Sequence, residues 1–255
     1  MIIGARTGAW AKSVGGATTA KDYLLDSLVC MYDGIENAGF GKHDDAAVKW
    51  VDLGPRKADI VLMRDFVFSS NCAVNSSANG LFAPFDSNSL FSEACAVDGI
   101  THEIVIERID PSANYAFIGI GRDSGALSRF NDNLTRIYYD QSAYPNVGTV
   151  YFYIKESDAK RTGVHTYSVV TDYSDKTAPM CYVYIDGVMI GRNGIKGIRG
   201  PWSFGFGFGN QGTYDWSTGI ENGKKLFSCR GYFKPFSSEE IAANYAIDKA
   251  RFNLP

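Results

Sequence analysis

CYVYIDGVMIG, residues 181–191, is the stretch that decides the fold class of this chain. Two runs rich in β-formers flank Asp186-Gly187, and Asp-Gly is the preferred pair for a two-residue turn of type I′. A turn of this type joins neighbouring antiparallel strands. The segment therefore predicts a β-hairpin, with one strand on each side of the Asp-Gly pair.

The next motif, SFGFGFGN at residues 203–210, alternates phenylalanine with glycine. A phosphate-binding glycine loop would follow a strand, open a helix and need glycine at position 210, where this chain has Asn210. No helical pattern follows the motif. It therefore predicts a strand with its phenylalanines on one face. The glycines on the other face would admit close backbone approach or strong curvature.

Further strands are expected where β-rich runs lie between clusters of Asn, Gly, Asp and Ser: residues 59–68, 101–110, 115–121, 149–154 and 165–173. Near the C-terminus, residues 237–252 predict a helix, because Ser237 and Glu240 can form a capping box before an approximate apolar stripe. Many short strands and one terminal helix predict an all-β jelly-roll sandwich of two antiparallel sheets with a short C-terminal helix.

Composition and charge restrict the classes of function. A net charge of −3 argues against nucleic acid as a partner, because a nucleic-acid binder would carry a basic face. No apolar run approaches the roughly 20 residues that span a bilayer, and the N-terminus lacks a signal-peptide core, so no membrane insertion is expected. Five cysteines without a C-x-x-C pair predict reduced, packed thiols rather than disulfides or a zinc site.

Three parts of the chain resemble laminin-G-like domains, which have the concanavalin A-like jelly roll. They are YDGIENAG with the later WVDL (residues 32–39 and 50–53), the hairpin with the later FGFGN, and GYFKPFSSEEIAANYAIDKARF (residues 231–252). These parts occur in the family's order between residues 24 and 252. The resemblance implies a domain that binds glycans or proteins, since most members do so and some are fused to glycosidases.

The first residues, MIIGARTGAWAKS, joined to such a domain, are similar to chains encoded by bacteriophages and prophages of gut bacteria. This resemblance implies a virion protein of the capsid decoration, a head fibre or the tail. Virions assemble in the bacterial cytoplasm, which agrees with unpaired cysteines and no signal peptide. Residues 1–30 are then interpreted as an arm that docks to other virion proteins, and residues 31–255 as the domain. A homo-oligomer is left open.

The resemblance raises the question of an active site, because jelly-roll glucanases carry E-x-D-x-E on a strand. The nearest stretch here, residues 103–107, has Val105 in place of the aspartate. In a regular strand Glu103 and Glu107 share a face but lie about 13 Å apart. Glycosidases need their carboxyl groups about 5–5.5 Å or 6.5–9.5 Å apart. We therefore predict paired surface carboxylates and no catalytic residue, with a glycoside hydrolase as the least favoured alternative.

A glycan site is expected in the glycine-punctuated loop at residues 209–223. Such a site needs an aromatic ring to stack on the sugar and Asp or Asn to bind its hydroxyl groups, on loops over a rigid sheet. The alternative is that Trp216 and Tyr214 are satellite core residues under a long loop. The candidate ligand-binding residues are Trp216, Tyr214, Asp215, Asn210 and Trp202.

No cofactor is predicted apart from calcium, for which Asn131, Asp132 and Asn133 offer oxygen ligands, although an Asn/Asp turn is the default for such a run. Trp50 is predicted to belong to the core. The sequence thus predicts a non-enzymatic, lectin-like module of a bacteriophage virion that binds host or mucosal glycans. The alternative is a purely structural virion protein that binds no glycan.

Overall fold

The computed structural model describes residues 18–62, 66–75, 81–82, 92–94, 96–108, 115–120, 128–133, 136–140, 150–153, 162–195, 204–206 and 224–255. In chain order the strands are β1 (Leu28–Asp33), β2 (Lys49–Trp50), β3 (Ile60–Val61), β4 (Phe66–Ser69), β5 (Cys72–Asn75), β6 (Leu81–Phe82), β7 (Gly99–Arg108), β8 (Tyr115–Ile120), β9 (Ser128–Asn133), β10 (Arg136–Asp140), β11 (Val150–Tyr153), β12 (Gly163–Asp172), β13 (Met180–Ile185), β14 (Val188–Gly194), β15 (Phe204–Phe206) and β16 (Lys224–Tyr232). A 3₁₀-helix, η1 (Ala20–Asp22), precedes them and an α-helix, α1 (Ser238–Phe252), follows them.

These strands form two large antiparallel sheets. The eight-stranded sheet has the order β14-β13-β12-β7-β16-β5-β4, and β1 pairs with the C-terminal half of β16. The six-stranded sheet has the order β11-β10-β9-β8-β15-β6, while β2 and β3 pair separately. The predicted all-β sandwich of antiparallel sheets with a C-terminal helix is confirmed.

The local predictions at the hairpin and at the helix are also confirmed. Asp186 and Gly187 have φ of 51° and 75°, and a type I′ turn requires positive φ at both positions. The Ser237 side chain accepts a hydrogen bond from the Glu240 amide, and the Glu240 carboxylate accepts one from the Ser237 amide, which completes the capping box. Residues 204–206 of the Phe-Gly motif form β15, a strand inside the six-stranded sheet.

The centre of the eight-stranded sheet is buried on both faces, as β7 illustrates. Ile104 and Ile106 lie in the main hydrophobic core. Val105 lies on the opposite face and packs with Phe252 of α1. Contacts between β7 and β8 and between β11 and β14 join the two sheets. The core of a sandwich lies between its sheets, and α1 packs on the Val105 face, so we infer that the face of Ile104 and Ile106 is directed at the six-stranded sheet.

The residues just before β1, and β1 itself, are packed into this sandwich. The Tyr23 hydroxyl donates to Asp248 Oδ1 of α1 at 2.7 Å, and the Leu24 amide donates to Asn244 Oδ1 at 3.1 Å. The boundary expected after residue 30 falls inside β1, whose six residues are all buried. The remainder of the expected arm, residues 1–17, lies outside the described residues.

The core predictions agree with the structure where it describes them. Trp50 is completely buried, and its Nε1 donates to the Asp33 carbonyl at 2.9 Å. The four cysteines in the described part of the chain are reduced and buried; they are Cys30, Cys72, Cys181 and Cys229. Cys95 lies outside the described residues.

Candidate functional site

The loop expected to bind glycans, residues 209–223, lies outside the described residues. The same is true of each candidate side chain of that site: Asn210, Tyr214, Asp215, Trp216 and Trp202. Glycan contact by these residues stays a prediction.

The carboxylate of Glu103 does not lie on the surface, so the prediction of paired surface carboxylates is wrong at this position. Its side chain is completely buried and accepts hydrogen bonds from Arg230 Nε at 3.0 Å, Asn244 Nδ2 at 2.7 Å and Ser168 Oγ at 3.2 Å. The physical reason is α1, which lies over this face of β7. Glu107 is partly exposed and forms an ion pair with Lys225 at 3.3 Å.

Arg230 is the centre of a buried polar cluster under α1, which we call the Arg230 cluster: Glu103, Arg230, Asn244 and Asp248. The guanidinium donates to both carboxylate oxygens of Asp248 at 2.8 Å and lies 4.0 Å from the centre of the Tyr23 ring. Arg230 and Glu103 are completely buried. Burial raises the pKa of Glu103, and the Arg230 guanidinium opposes that rise. These contacts join α1 to β7 and β16.

The acidic residues of YDGIENAG and WVDL, residues 32–39 and 50–53, likewise form hydrogen bonds inside the fold. Asp33 Oδ1 accepts from two backbone amides and from Arg251 Nη2 at 2.8 Å. Glu36 accepts from Arg251 at 3.2 Å and from the amides of residues 20 and 41. Asp52 accepts from the Met31 amide at 2.9 Å, and so closes the free edge of β1. These carboxylates therefore hold the segment before β1, β1 itself and α1 together.

The calcium candidates lie in β9, which pairs with β8 and β10. Successive positions of a strand alternate between the two faces, so Asn131 and Asn133 share a face that Asp132 does not. Among the described residues, no group of three or more His, Cys, Asp or Glu is placed to hold a metal ion. Calcium binding by this segment stays a prediction.

The register of the six-stranded sheet brings together a set of residues that sequence reasoning missed. Arg136 pairs with Asn133 on one side and Tyr153 on the other. Two positions along the strands, Tyr138 pairs with Asn131 and Tyr151. The next row of the same face runs across four strands. It contains, from β10 to β15, Asp140, Arg129, Gly119 and Gly205. These rows also hold two apolar positions, Ala116 beside Asn131 and Phe82 beside Gly205. We call the remaining positions the polar face: Gly119, Arg129, Asn131, Asn133, Arg136, Tyr138, Asp140, Tyr151, Tyr153 and Gly205.

The alternate positions of the same strands are mostly apolar, with Ser128 and Asp132 as polar exceptions. They are Ile118, Ile120, Phe130, Ile137, Tyr139, Val150, Phe152, Phe204 and Phe206. In a two-sheet sandwich the apolar set of each sheet faces the other sheet. We therefore expect the apolar set to face the main core and the polar face to lie on the opposite side of the six-stranded sheet. The Phe-Gly alternation fits this arrangement, because Gly205 pairs with Gly119 on the polar face.

None of the helices in the described part of the chain has the length and apolarity that a membrane crossing requires.

Comparison with known proteins identifies the fold. Neither a protein-family model nor a curated protein matches the chain. Among solved structures, the receptor binding domain of botulinum neurotoxin C/D mosaic serotype has a TM-score of 0.61 at 13% identity, over 88% of this chain and 52% of that one. The botulinum neurotoxin serotype D binding domain has a TM-score of 0.59 at 12% identity, with the same coverage.

A second group of structures comes from Trypanosoma rangeli. Its sialidase in complex with sialic acid has a TM-score of 0.57 at 15% identity, over 88% of this chain and 33% of the sialidase. The chain thus spans a third to about half of the solved chains that it matches. At these identities the likeness concerns the fold alone, and the chain shares the antiparallel β-sandwich of those proteins.

Proposed function

We propose that this chain is a non-enzymatic, lectin-like module that binds glycans through the polar face of its six-stranded sheet. The observation that carries the proposal is the register that places Asn131, Tyr138 and Tyr151 in one row. Tyrosine offers a flat apolar ring to a sugar and a hydroxyl group at its edge, while asparagine both donates and accepts hydrogen bonds. Together these residue types supply what a sugar-binding surface needs.

The enclosure of Glu103 supports the non-enzymatic part of the proposal. A general acid or nucleophile must reach the glycosidic bond, and Glu103 lies under α1 with its oxygens occupied by Arg230, Asn244 and Ser168. The T. rangeli sialidase is an enzyme by its name, but the match covers only a third of it at 15% identity. Its activity therefore gives no reason to assign hydrolysis to this chain.

A role in recognition is supported by the botulinum neurotoxin neighbours, which are described as receptor binding or binding domains. The proposed setting, a bacteriophage virion that assembles in the bacterial cytoplasm, rests on the resemblance of the first residues to phage-encoded chains. On a virion, such a module would bind host or mucosal glycans. The loop at residues 209–223 would extend the site, with Trp216 as the stacking residue.

A glycan array tests this function. We expect the wild-type chain to bind at least one glycan. The double variant Tyr138→Ala/Tyr151→Ala should weaken that binding at least tenfold, equivalent to about 1.4 kcal/mol. Met189→Ala is the control, since Met189 is an exposed apolar residue of the other sheet. Trp216→Ala, tested separately, measures the contribution of the loop. Absence of binding to every glycan by the wild-type chain would contradict the proposal.

The alternative is a purely structural decoration protein docked by its first residues. The carbonyl of Thr18 accepts from Arg251 Nη1 at 2.9 Å and Ala20 is buried, so a docking arm would leave the domain from a fixed point beside α1. Deletion of residues 2–17 leaves those contacts intact. Loss of virion incorporation on that deletion, together with no glycan binding by the full chain, would favour this alternative over the lectin-like module.

A further inference from the structure

The pair Asn193-Gly194 combines a reactive sequence with an exposed place in the fold. The two residues end strand β14, and both are exposed. In the strand order of the eight-stranded sheet, β14 is the terminal strand. Two other Asn-Gly pairs, at residues 79–80 and 222–223, lie outside the described residues. At Asn193-Gly194 the structure therefore shows how the side-chain amide and the backbone that follows it are arranged.

The backbone nitrogen of Gly194 lies beside the side-chain amide of Asn193. Its N–H donates to Asn193 Oδ1 at 2.9 Å, and Oδ1 is bonded to the amide carbon Cγ. In an antiparallel pair, successive residues of a strand direct their amides alternately towards the neighbouring strand and away from it. The next amide, that of Ile195, donates to the Pro179 carbonyl just before β13 at 2.8 Å. The Gly194 amide is therefore on the side of β14 that is directed away from β13.

The surroundings of Gly194 leave room for its nitrogen to move onto Cγ. The atom nearest to an added Cβ would be the Pro179 carbonyl oxygen, at 4.0 Å. Glycine reaches more backbone conformations than any other residue, because it has no Cβ. The ends of strands also open at a lower free-energy cost than their centres. A change in the backbone angles of Gly194 thus costs little at this position.

We propose that Asn193 is a site of spontaneous deamidation, in which the Gly194 nitrogen attacks Cγ of the asparagine side chain. Hydroxide removes the proton of the Gly194 amide, and the nitrogen forms a bond to Cγ. The Cγ–Nδ2 bond then breaks, and ammonia leaves with a proton from water, so that a five-membered succinimide remains. Water opens the ring at either carbonyl and gives aspartate or isoaspartate. Overall, one water is consumed, one ammonia is released and the side-chain NH₂ is replaced by OH.

Both products change the edge of the eight-stranded sheet, whatever the chain binds. Each product adds a negative charge next to Arg192 at neutral pH. Isoaspartate also adds one methylene group to the backbone of β14. Position 193 pairs with Cys181, and Ile195 beyond it is buried. The longer backbone should therefore shift the register at the end of β14 and draw Ile195 out of its place in the core.

Peptide mapping by mass spectrometry tests the proposal on the folded chain, incubated at pH 8 and 37 °C. The chymotryptic peptide of residues 185–202 contains Asn193 as its single asparagine. A mass gain of about 1 Da in this peptide therefore measures deamidation at this site. We expect a mixture of aspartate and isoaspartate, which electron-transfer fragmentation distinguishes, and a faster reaction at pH 9 than at pH 6.

Two other asparagines of the same chain are internal controls. Asn253 is exposed like Asn193, but the amide that follows it, that of Leu254, donates to the Lys249 carbonyl at 3.2 Å. Asn244 is buried. We expect Asn193 to deamidate at least ten times faster than either of them. Equal rates at the three positions would overturn the proposal.

A variant and an unfolded sample complete the test. Gly194→Ala should slow the reaction at least tenfold, because a Cβ restricts the backbone angles that bring the nitrogen onto Cγ. An unchanged rate in this variant, or a product that contains aspartate alone, would overturn the succinimide route in favour of direct hydrolysis. Reaction in the urea-unfolded chain with none in the folded chain would show that β14 protects Asn193, and would also overturn the proposal.

Discussion

Replacing Arg230 with methionine is expected to destabilise the domain more than most single substitutions. The methionine keeps much of the side-chain volume but removes the cation that lies between Glu103 and Asp248. Both Arg230 ion pairs are completely buried, at 3.0 Å and 2.8 Å. The substitution would leave carboxylates under α1 without their cation, at a position that water does not reach.

The size of the effect follows from this burial. Removing one partner of a buried ion pair costs about 3–5 kcal/mol, because the remaining charge stays desolvated. For a domain of this size, that cost lowers Tm by roughly 6–20 °C. The matched control is Lys225→Met. It breaks the Lys225–Glu107 pair, whose side chains are 44% and 22% exposed, and should cost about 0–1 kcal/mol.

The pH dependence of the Arg230→Met variant gives a second test of the same reasoning. Burial raises the pKa of Glu103, and the variant lacks the guanidinium that opposes the rise. A carboxyl group whose pKa is raised on folding destabilises the folded state most above its folded pKa. This penalty shrinks as the pH falls and the group takes up its proton. The difference in unfolding free energy between wild type and variant should therefore be larger at pH 8 than at pH 5.

Denaturant unfolding, followed by tryptophan fluorescence and circular dichroism, measures both quantities. Arg230→Met should unfold at a clearly lower denaturant concentration than Lys225→Met and the wild type. A loss below 1 kcal/mol for Arg230→Met, equal to that of Lys225→Met, would refute the claim that the Arg230 cluster fixes α1 to the sheet. So would a difference between variant and wild type that does not change with pH.

Two further predictions concern the described core. Burial lowers the pKa of His102 to about 3, so only the unfolded chain takes up this proton as the pH falls below about 6.5. The wild type should therefore lose about 2 kcal/mol more than His102→Leu between pH 7 and pH 5, and identical pH profiles would contradict this. A Cβ at Gly34 would collide with the backbone of Asn71, so Gly34→Ala should cost about 1–3 kcal/mol. At Gly194 the atom nearest to an added Cβ is 4.0 Å away, so Gly194→Ala should change the free energy of unfolding by less than about 0.5 kcal/mol. Equal losses of stability in the two variants would refute the close contact between Gly34 and the Asn71 backbone.

The features that sequence predicted are those whose causes lie within a few residues. The turn at Asp186-Gly187 depends on the tolerance of this pair for positive φ, which the pair carries with it. The capping box of α1 needs only Ser237 and Glu240, three positions apart. Such signals do not depend on the tertiary fold, so they can be identified before the fold is known.

The environment of Glu103 depends on residues far away in the chain. Its partners Arg230 and Asn244 are separated from it by 127 and 141 positions, so EIVIE resembles a surface strand until α1 is placed over it. A signal was present in the alternation of β7, where Glu103 and Val105 share a face. An apolar residue between two glutamates on one face indicates that part of that face is covered.

The polar face was missed for a different reason. In SRFNDN, RIYYD and VYFY, polar or tyrosine positions alternate with mostly apolar ones, but each run alone does not show which other residues share its face. Only the register aligns Tyr138 with Asn131 and Tyr151, and a slip of one residue would reverse every assignment.

Hydrogen–deuterium exchange with and without the best-binding glycan tests the location of the site most directly. We expect slower exchange in peptides that cover residues 128–140 and 150–153, because a glycan on the polar face would shield strands β9, β10 and β11. Peptides from α1 should be unchanged. Protection confined to α1 or to β12–β14, with none in β9–β11, would contradict the assignment of the binding surface to the six-stranded sheet.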